Sequence, residues 1–155
     1  PADHLILNED DFRAIIAECL DFASEHDALM TVGIKPTRPD TGYGYIQTAS
    51  AGEISPVASF REKPDLQTAM SYLAAGNYLW NAGIFVWSTQ SILAALERHL
   101  PEVYGLFAER AAAFATPDER PAVEEIFSRC PSISIAFRPS NCSTACRASA
   151  PMPGR

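Results

Sequence analysis

The chain has no apolar run of about 18 residues, the length a membrane-spanning helix requires. No charged segment followed by a short apolar one opens it, so it reads as carrying neither a membrane span nor a signal peptide. Positive charge is scarce: 12 Lys and Arg stand against 19 Asp and Glu, giving a net charge of -7 and a pI of about 4.9. Such a balance makes a poor binder of nucleic acid or of an anionic membrane. Any phosphate must therefore be met locally, by a few Lys or Arg side chains and backbone N–H groups. The cysteines are Cys19, Cys130, Cys142 and Cys146. Cys142 and Cys146 have no second Cys or His pair beside them, and the histidines all precede residue 100, which leaves no four-ligand zinc pattern. Reduced thiols in a cytoplasmic protein are the simpler reading. Glycine is sparse as well: before residue 76 there are only Gly33, Gly42, Gly44 and Gly52, so no glycine-rich, phosphate-cradling loop is present in the chain. Acidic residues are missing altogether from 136–155, a Ser-, Pro- and Cys-containing stretch without apolar periodicity that is expected to be a disordered tail.

What is present is enough for one core of ordinary domain size: 155 residues, 47% of them apolar. Asn8 followed by Glu9, Asp10 and Asp11 predicts a helix start, and Phe12, Ile15, Ile16, Cys19, Leu20 and Ala23 recur at helical spacing to about residue 25. Leu29 to Ile34 reads as a buried strand, which makes the rhythm that of an α/β fold. Strands are predicted over 44–48, 56–61 and 82–87. A helix starts at Asp65, with Ala69, Met70, Leu73 and Ala74 on one face, and stops at Gly76. Thr89 or Ser91 would cap a further helix with Ile92, Leu93, Leu96 and Leu100 inward. Pro101 and then Pro117 or Pro121 open two more, towards Phe114 and Phe127.

Four segments can carry chemistry. Asp3 stands before Leu5, Ile6 and Leu7; a carboxylate at the mouth of an apolar run can hold Mg2+ against a phosphate, or can simply be solvated. Gly42-Tyr43-Gly44-Tyr45 allows close approach of a ligand to backbone, or is a turn entering a strand. Phe60-Arg61-Glu62-Lys63-Pro64 sets an acceptor of sugar hydroxyls beside a compact cation suited to phosphate, or is an exposed strand end. Asn81 is an amide inside Tyr78-Leu79-Trp80-Asn81-Ala82-Gly83-Ile84-Phe85, available to a hydroxyl or satisfied by backbone.

Taken in order, G-I-K-P-T-R-P-D-T-G-Y-G-Y-I at 33–46, F-R-E-K-P-D at 60–65 and Y-L-W-N-A-G-I-F at 78–85 resemble the nucleotidyltransferases that make GDP-mannose, and P-A-D-H at 1–4 resembles the segment preceding them. The resemblance covers about residues 1–135. It implies an α/β, Rossmann-like nucleotide-diphospho-sugar transferase fold, here incomplete, with a mixed, mainly parallel sheet flanked by helices. On that reading residues 1–135 are the sugar-binding half of the domain and 136–155 lie outside it.

The implied reaction joins mannose 1-phosphate and GTP to give GDP-mannose and pyrophosphate, by in-line attack of a sugar-phosphate oxygen with Mg2+ as cofactor. Carried over by motif, Asp3 would be the metal ligand and, with Lys63, catalytic. Gly44, Tyr45, Glu62, Lys63 and Asn81 would bind substrate. The implied partners are mannose 1-phosphate and GTP in the cytoplasm, with no nucleic acid or membrane and with homo-oligomer formation left open. Without the glycine-rich loop that cradles GTP phosphates in this family, the chain is expected to turn over weakly or not at all. A glucose-1-phosphate uridylyl- or thymidylyltransferase is the rival enzyme, and a non-catalytic regulatory or interaction domain the rival of another class.

Overall fold

The computed structural model describes residues 5–133 and the backbone of strand 144–148. Helix α1 (Glu9–Glu25) is capped by Asn8, whose side chain accepts from the Asp11 N–H. It turns Cys19 and Ala23, and less completely Phe12, Ile15 and Ile16, towards the sheet, while Leu20 faces out. Strand β1 (Met30–Ile34) follows and is buried throughout. Strands β2 (Tyr45–Thr48) and β3 (Ile54–Arg61) form a hairpin, and α2 (Leu66–Ala75) leads into β4 (Tyr78–Val86). Strand β5 (Thr144–Ala148) falls inside the stretch for which no regular structure was expected; the rest of 134–155 lies outside the described residues.

The strand order is β1-β4-β2-β3-β5, closed on itself through β5. The architecture is α/β and the sheet is mixed, but among the described strands it is mainly antiparallel, which corrects the expected parallel majority. β4 runs antiparallel to β1 and to β2, and β3 antiparallel to β2 and β5; only β1 and β5 are parallel. The reason lies in the connections. A parallel pair needs a crossover of roughly a dozen residues or more, whereas the short loop 49–53 between β2 and β3 permits only a hairpin.

One face of the sheet packs on α1 and α2, burying Met30, Val32, Ile34, Tyr45, Trp80 and Ala82 against Cys19, Ala23 and Ala69. On α2 the inward residues are Ala69 and, partly, Tyr72 and Leu73; Met70, expected among them, is 57% exposed. The opposite face carries a smaller cluster, Ile46 and Leu79 with Val57 and Phe60. A helical layer continues the chain: α3 (Thr89–His99), capped by Ser88 rather than Thr89 or Ser91, then α4 (Pro101–Glu109) and α5 (Glu119–Arg129). Phe107, stacked on Phe114 and edge-on to Phe127, ties the last two together beside the Arg110–Glu125 ion pair.

Candidate functional site

The smaller face of the sheet is where the sequence motifs meet. Ile46 pairs with Phe60 on one side and with Leu79 on the other, forming an apolar row across β2, β3 and β4. Side chains alternate along a strand, so the next row on the same face lies two residues away. Those residues are Gly44, Glu62 and Asn81. The Asn81 N–H donates to the Gly44 carbonyl at 2.8 Å. A Cβ on Gly44 would stand 3.1 Å from Glu62 Oε2 and 3.7 Å from Asn81 Cβ. Three residues drawn from three separate motifs thus share one small patch, floored by Ile46, Phe60 and Leu79.

Asn81 is half-buried and asymmetrically bonded. Its Oδ1 accepts from the Gly83 N–H at 3.0 Å and from the buried Thr31 hydroxyl at 3.4 Å. Its Nδ2 has no hydrogen-bond partner among the described residues. The Gly83 contact is an Asx-type turn within a strand, and Gly83 itself adopts φ 67°, a conformation costly for any residue with a Cβ. Opposite it, the β1–β4 register shifts between Thr31 and Gly33, and Gly33 comes to face Asn81. Irregular pairing of this kind is a common way for a sheet to re-aim a side chain.

Glu62 and Lys63 leave the end of β3 exposed, and neither side chain has an ion-pair or hydrogen-bond partner among the described residues. Lys63 adopts φ 33°, a left-handed backbone unusual for a residue other than glycine, immediately before Pro64. Asp65 then caps α2, its Oδ1 accepting from the Thr68 N–H at 2.7 Å. That bond holds the Asp65 carboxyl below its ordinary pKa. The segment 60–65 is therefore a strand end, a tight turn and a helix cap in sequence, with the acceptor and the cation presented at the turn.

The loop before Gly44 is held by contacts that the sequence did not reveal. Arg38 donates to Asp40 Oδ2 through Nη2 at 2.8 Å and Nε at 3.1 Å, and its guanidinium lies over the Trp80 ring, 5.2 Å from the centroid. The Gly42 N–H donates to Asp40 Oδ1 at 2.8 Å. The Tyr45 hydroxyl accepts from the Asp40 N–H at 3.0 Å and donates to the Asp40 carbonyl at 2.8 Å. Tyr45 was expected among the substrate-binding residues. It sits one position beyond Gly44, so the alternation sends its side chain to the opposite face, where it is fully buried. Its place is in the scaffold of the loop. Asp3 lies outside the described residues. Among the described residues no three His, Cys, Asp or Glu side chains group to hold a metal ion.

A patch with a bonded amide and an exposed carboxylate, with Lys63 following Glu62 in sequence, offers groups that can meet a polyhydroxylated ligand bearing an anionic group. The model of the nucleotidyl transferase family matches residues 1–116. The chain belongs to the nucleotidyl transferase family. It is 40% identical over 144 residues to a mannose-1-phosphate guanylyltransferase of Escherichia coli K12, covering 88% of this chain and 30% of that protein. It is 43% identical over 103 residues to the xanthan biosynthesis protein XanB of Xanthomonas campestris, covering 66% of this chain and 22% of the relative. The chain thus spans less than a third of the length of these curated relatives.

Among solved structures, a mannose-1-phosphate geranyltransferase from Thermus thermophilus superposes with a TM-score of 0.80 at 30% identity, over 99% of this chain and 44% of the other. A mannose-6-phosphate isomerase from Helicobacter pylori, at TM-score 0.74 and 23% identity over 97% of this chain and 61% of the other, shares the fold. Gly44, Glu62, Lys63 and Asn81 all fall within the part of the nucleotidyl transferase model that this chain matches.

Proposed function

We propose that this nucleotidyl transferase chain forms the sugar-phosphate side of a site that makes GDP-mannose and pyrophosphate from mannose 1-phosphate and GTP. The observation that carries the reading is the convergence of Gly44, Glu62 and Asn81 in one row of one sheet face, with Lys63 following Glu62 in sequence. In this reading Gly44 leaves room for the sugar against backbone, Glu62 accepts from its hydroxyls, and Asn81 donates through Nδ2. Lys63 pairs with the sugar phosphate, which brings the attacking oxygen to a set position. Catalysis of this kind is positioning and charge neutralisation, with no protein nucleophile.

The Mg2+ that such chemistry uses would be held at Asp3. Among the described residues no three His, Cys, Asp or Glu side chains group to hold it. The acidic balance of the chain argues for small-molecule partners over nucleic acid, and no described helix is long and apolar enough to cross a membrane.

Calorimetric titration of the 155-residue chain with mannose 1-phosphate and with glucose 1-phosphate tests the reading. Saturable binding that favours the mannose ligand is expected. Tighter binding of the glucose ligand would transfer the chain to the glucose-1-phosphate enzymes, and no binding of either would remove the sugar site.

A further inference from the structure

The Asn81 amide has two chemically different ends, and the structure assigns which one meets the ligand. Two donors converge on Oδ1: the Gly83 N–H at 3.0 Å and the Thr31 hydroxyl at 3.4 Å. Thr31 is fully buried, and its hydroxyl has one other acceptor, the Ile84 carbonyl, also at 3.4 Å. That single hydrogen is shared between two acceptors on β4 at equal distance, so the Gly83 N–H is the firmer hold on Oδ1 and the Thr31 hydroxyl adds to it. Turning the amide over would set its NH2 against the Gly83 N–H and the Thr31 O–H, leaving the Gly83 donor without a partner. Gly83 stands at φ 67° beside the amide, and a register shift in β1 lies across from Asn81.

We propose that Thr31 is a positioning residue. Together with the Gly83 N–H it fixes the Asn81 amide so that Oδ1 is turned into the sheet and Nδ2 is the free donor offered to the ligand. The inference rests on the reading of Gly44, Glu62 and Asn81 as a sugar site. It adds polarity to that site: Glu62 presents an acceptor and Asn81 a donor, so the ligand atom opposite Asn81 is a hydrogen-bond acceptor. Thr31 touches no ligand in this scheme and acts only through the amide.

The test uses the 155-residue chain as wild type, Thr31→Val and Thr31→Ser, followed by nuclear magnetic resonance of the Asn81 side-chain NH2 pair and the Gly83 amide, and by titration with mannose 1-phosphate. Valine keeps the branched shape and removes the hydroxyl, while serine keeps the hydroxyl. Thr31→Val should shift both sets of resonances and weaken mannose 1-phosphate binding about tenfold, the effect of one lost positioning hydrogen bond. Thr31→Ser should restore both. Unmoved Asn81 and Gly83 signals in Thr31→Val, or equal loss of affinity in the two variants, would overturn the proposal. Signals that respond to Thr31 in a wild-type chain that binds no mannose 1-phosphate would sink the sugar-site reading and leave the positioning of the amide standing.

Discussion

A Cβ on Gly44 would stand 3.1 Å from Glu62 Oε2 and 3.7 Å from Asn81 Cβ. The near atom is the end of a flexible side chain, so Gly44→Ala should fold normally, displace the carboxylate and lower affinity for mannose 1-phosphate by roughly an order of magnitude, about 1.4 kcal/mol. Gly33 is a different case. Its added Cβ would lie 2.6 Å from Leu79 Cδ1 and 2.8 Å from Leu79 Cβ, inside the floor of the site. Overpacking against a buried residue costs roughly 1–3 kcal/mol, so Gly33→Ala should lose that much in denaturant unfolding. Lys63 pulls in two directions. Its φ of 33° is strained, a conformation that costs a residue with a Cβ about 1–2 kcal/mol, and glycine returns part of that through its greater freedom when unfolded. Lys63→Gly should therefore raise stability by a net of roughly 0.5–1 kcal/mol while weakening the phosphate ligand, and a variant that binds as well as wild type would deny Lys63 its role. Gly44, Glu62, Lys63 and Asn81 were legible as candidates because each sits in a short motif. Thr31 was not: its partner is 50 positions away, and nothing local to Leu29–Ile34 marks one threonine of a buried strand as polar-bonded.

At the scale of elements, α2 depends on Asp65 at its start, and the Thr68 N–H that it accepts holds its carboxyl below the usual value of 3.8. A carboxyl with a depressed folded pKa contributes stability above its unfolded pKa and loses it as pH falls through the folded one. Wild type should thus melt higher than Asp65→Asn at neutral pH, and the gap should close below about pH 4. A constant gap across the acid range would show that the charge is idle. Helix α1 was readable to its ends from the Asn8 cap and the spacing of Phe12, Ile15, Ile16 and Cys19, because a cap and a periodic face are local signals. Strand β4 was not: Asn81 interrupts the apolar run, so the sequence pointed to a start at Ala82, whereas pairing of Tyr78 with Gln47 begins the strand earlier. That pairing, invisible locally, is what puts Asn81 inside the ladder and next to Gly44.

The whole molecule links these parts through ligand binding. α/β class and a sheet backed by helices could be read from the succession of helical and strand patterns, but strand direction could not: β1 is a continuous buried run of the kind parallel strands show, yet it pairs antiparallel with β4. A ligand that binds only the folded chain stabilises all of it by RT ln(1 + [L]/Kd), about 2.7 kcal/mol at a concentration of 100 Kd. For a chain of this size that corresponds to a rise in Tm of roughly 5–10 °C. Mannose 1-phosphate should produce this shift. Mannose alone should produce less, because it forgoes the Lys63 contact. Glu62→Gln replaces a charged acceptor of sugar hydroxyls with a neutral one, at a cost of about 1.5–3 kcal/mol, ten- to a hundredfold or more in Kd. At the same mannose 1-phosphate concentration its shift should fall to between about a half and a tenth of the wild-type shift, while its unliganded Tm stays near that of wild type, because the exposed Glu62 has no side-chain partner among the described residues to lose. Equal shifts in wild type and Glu62→Gln would place the bound sugar away from the Gly44–Glu62–Asn81 row.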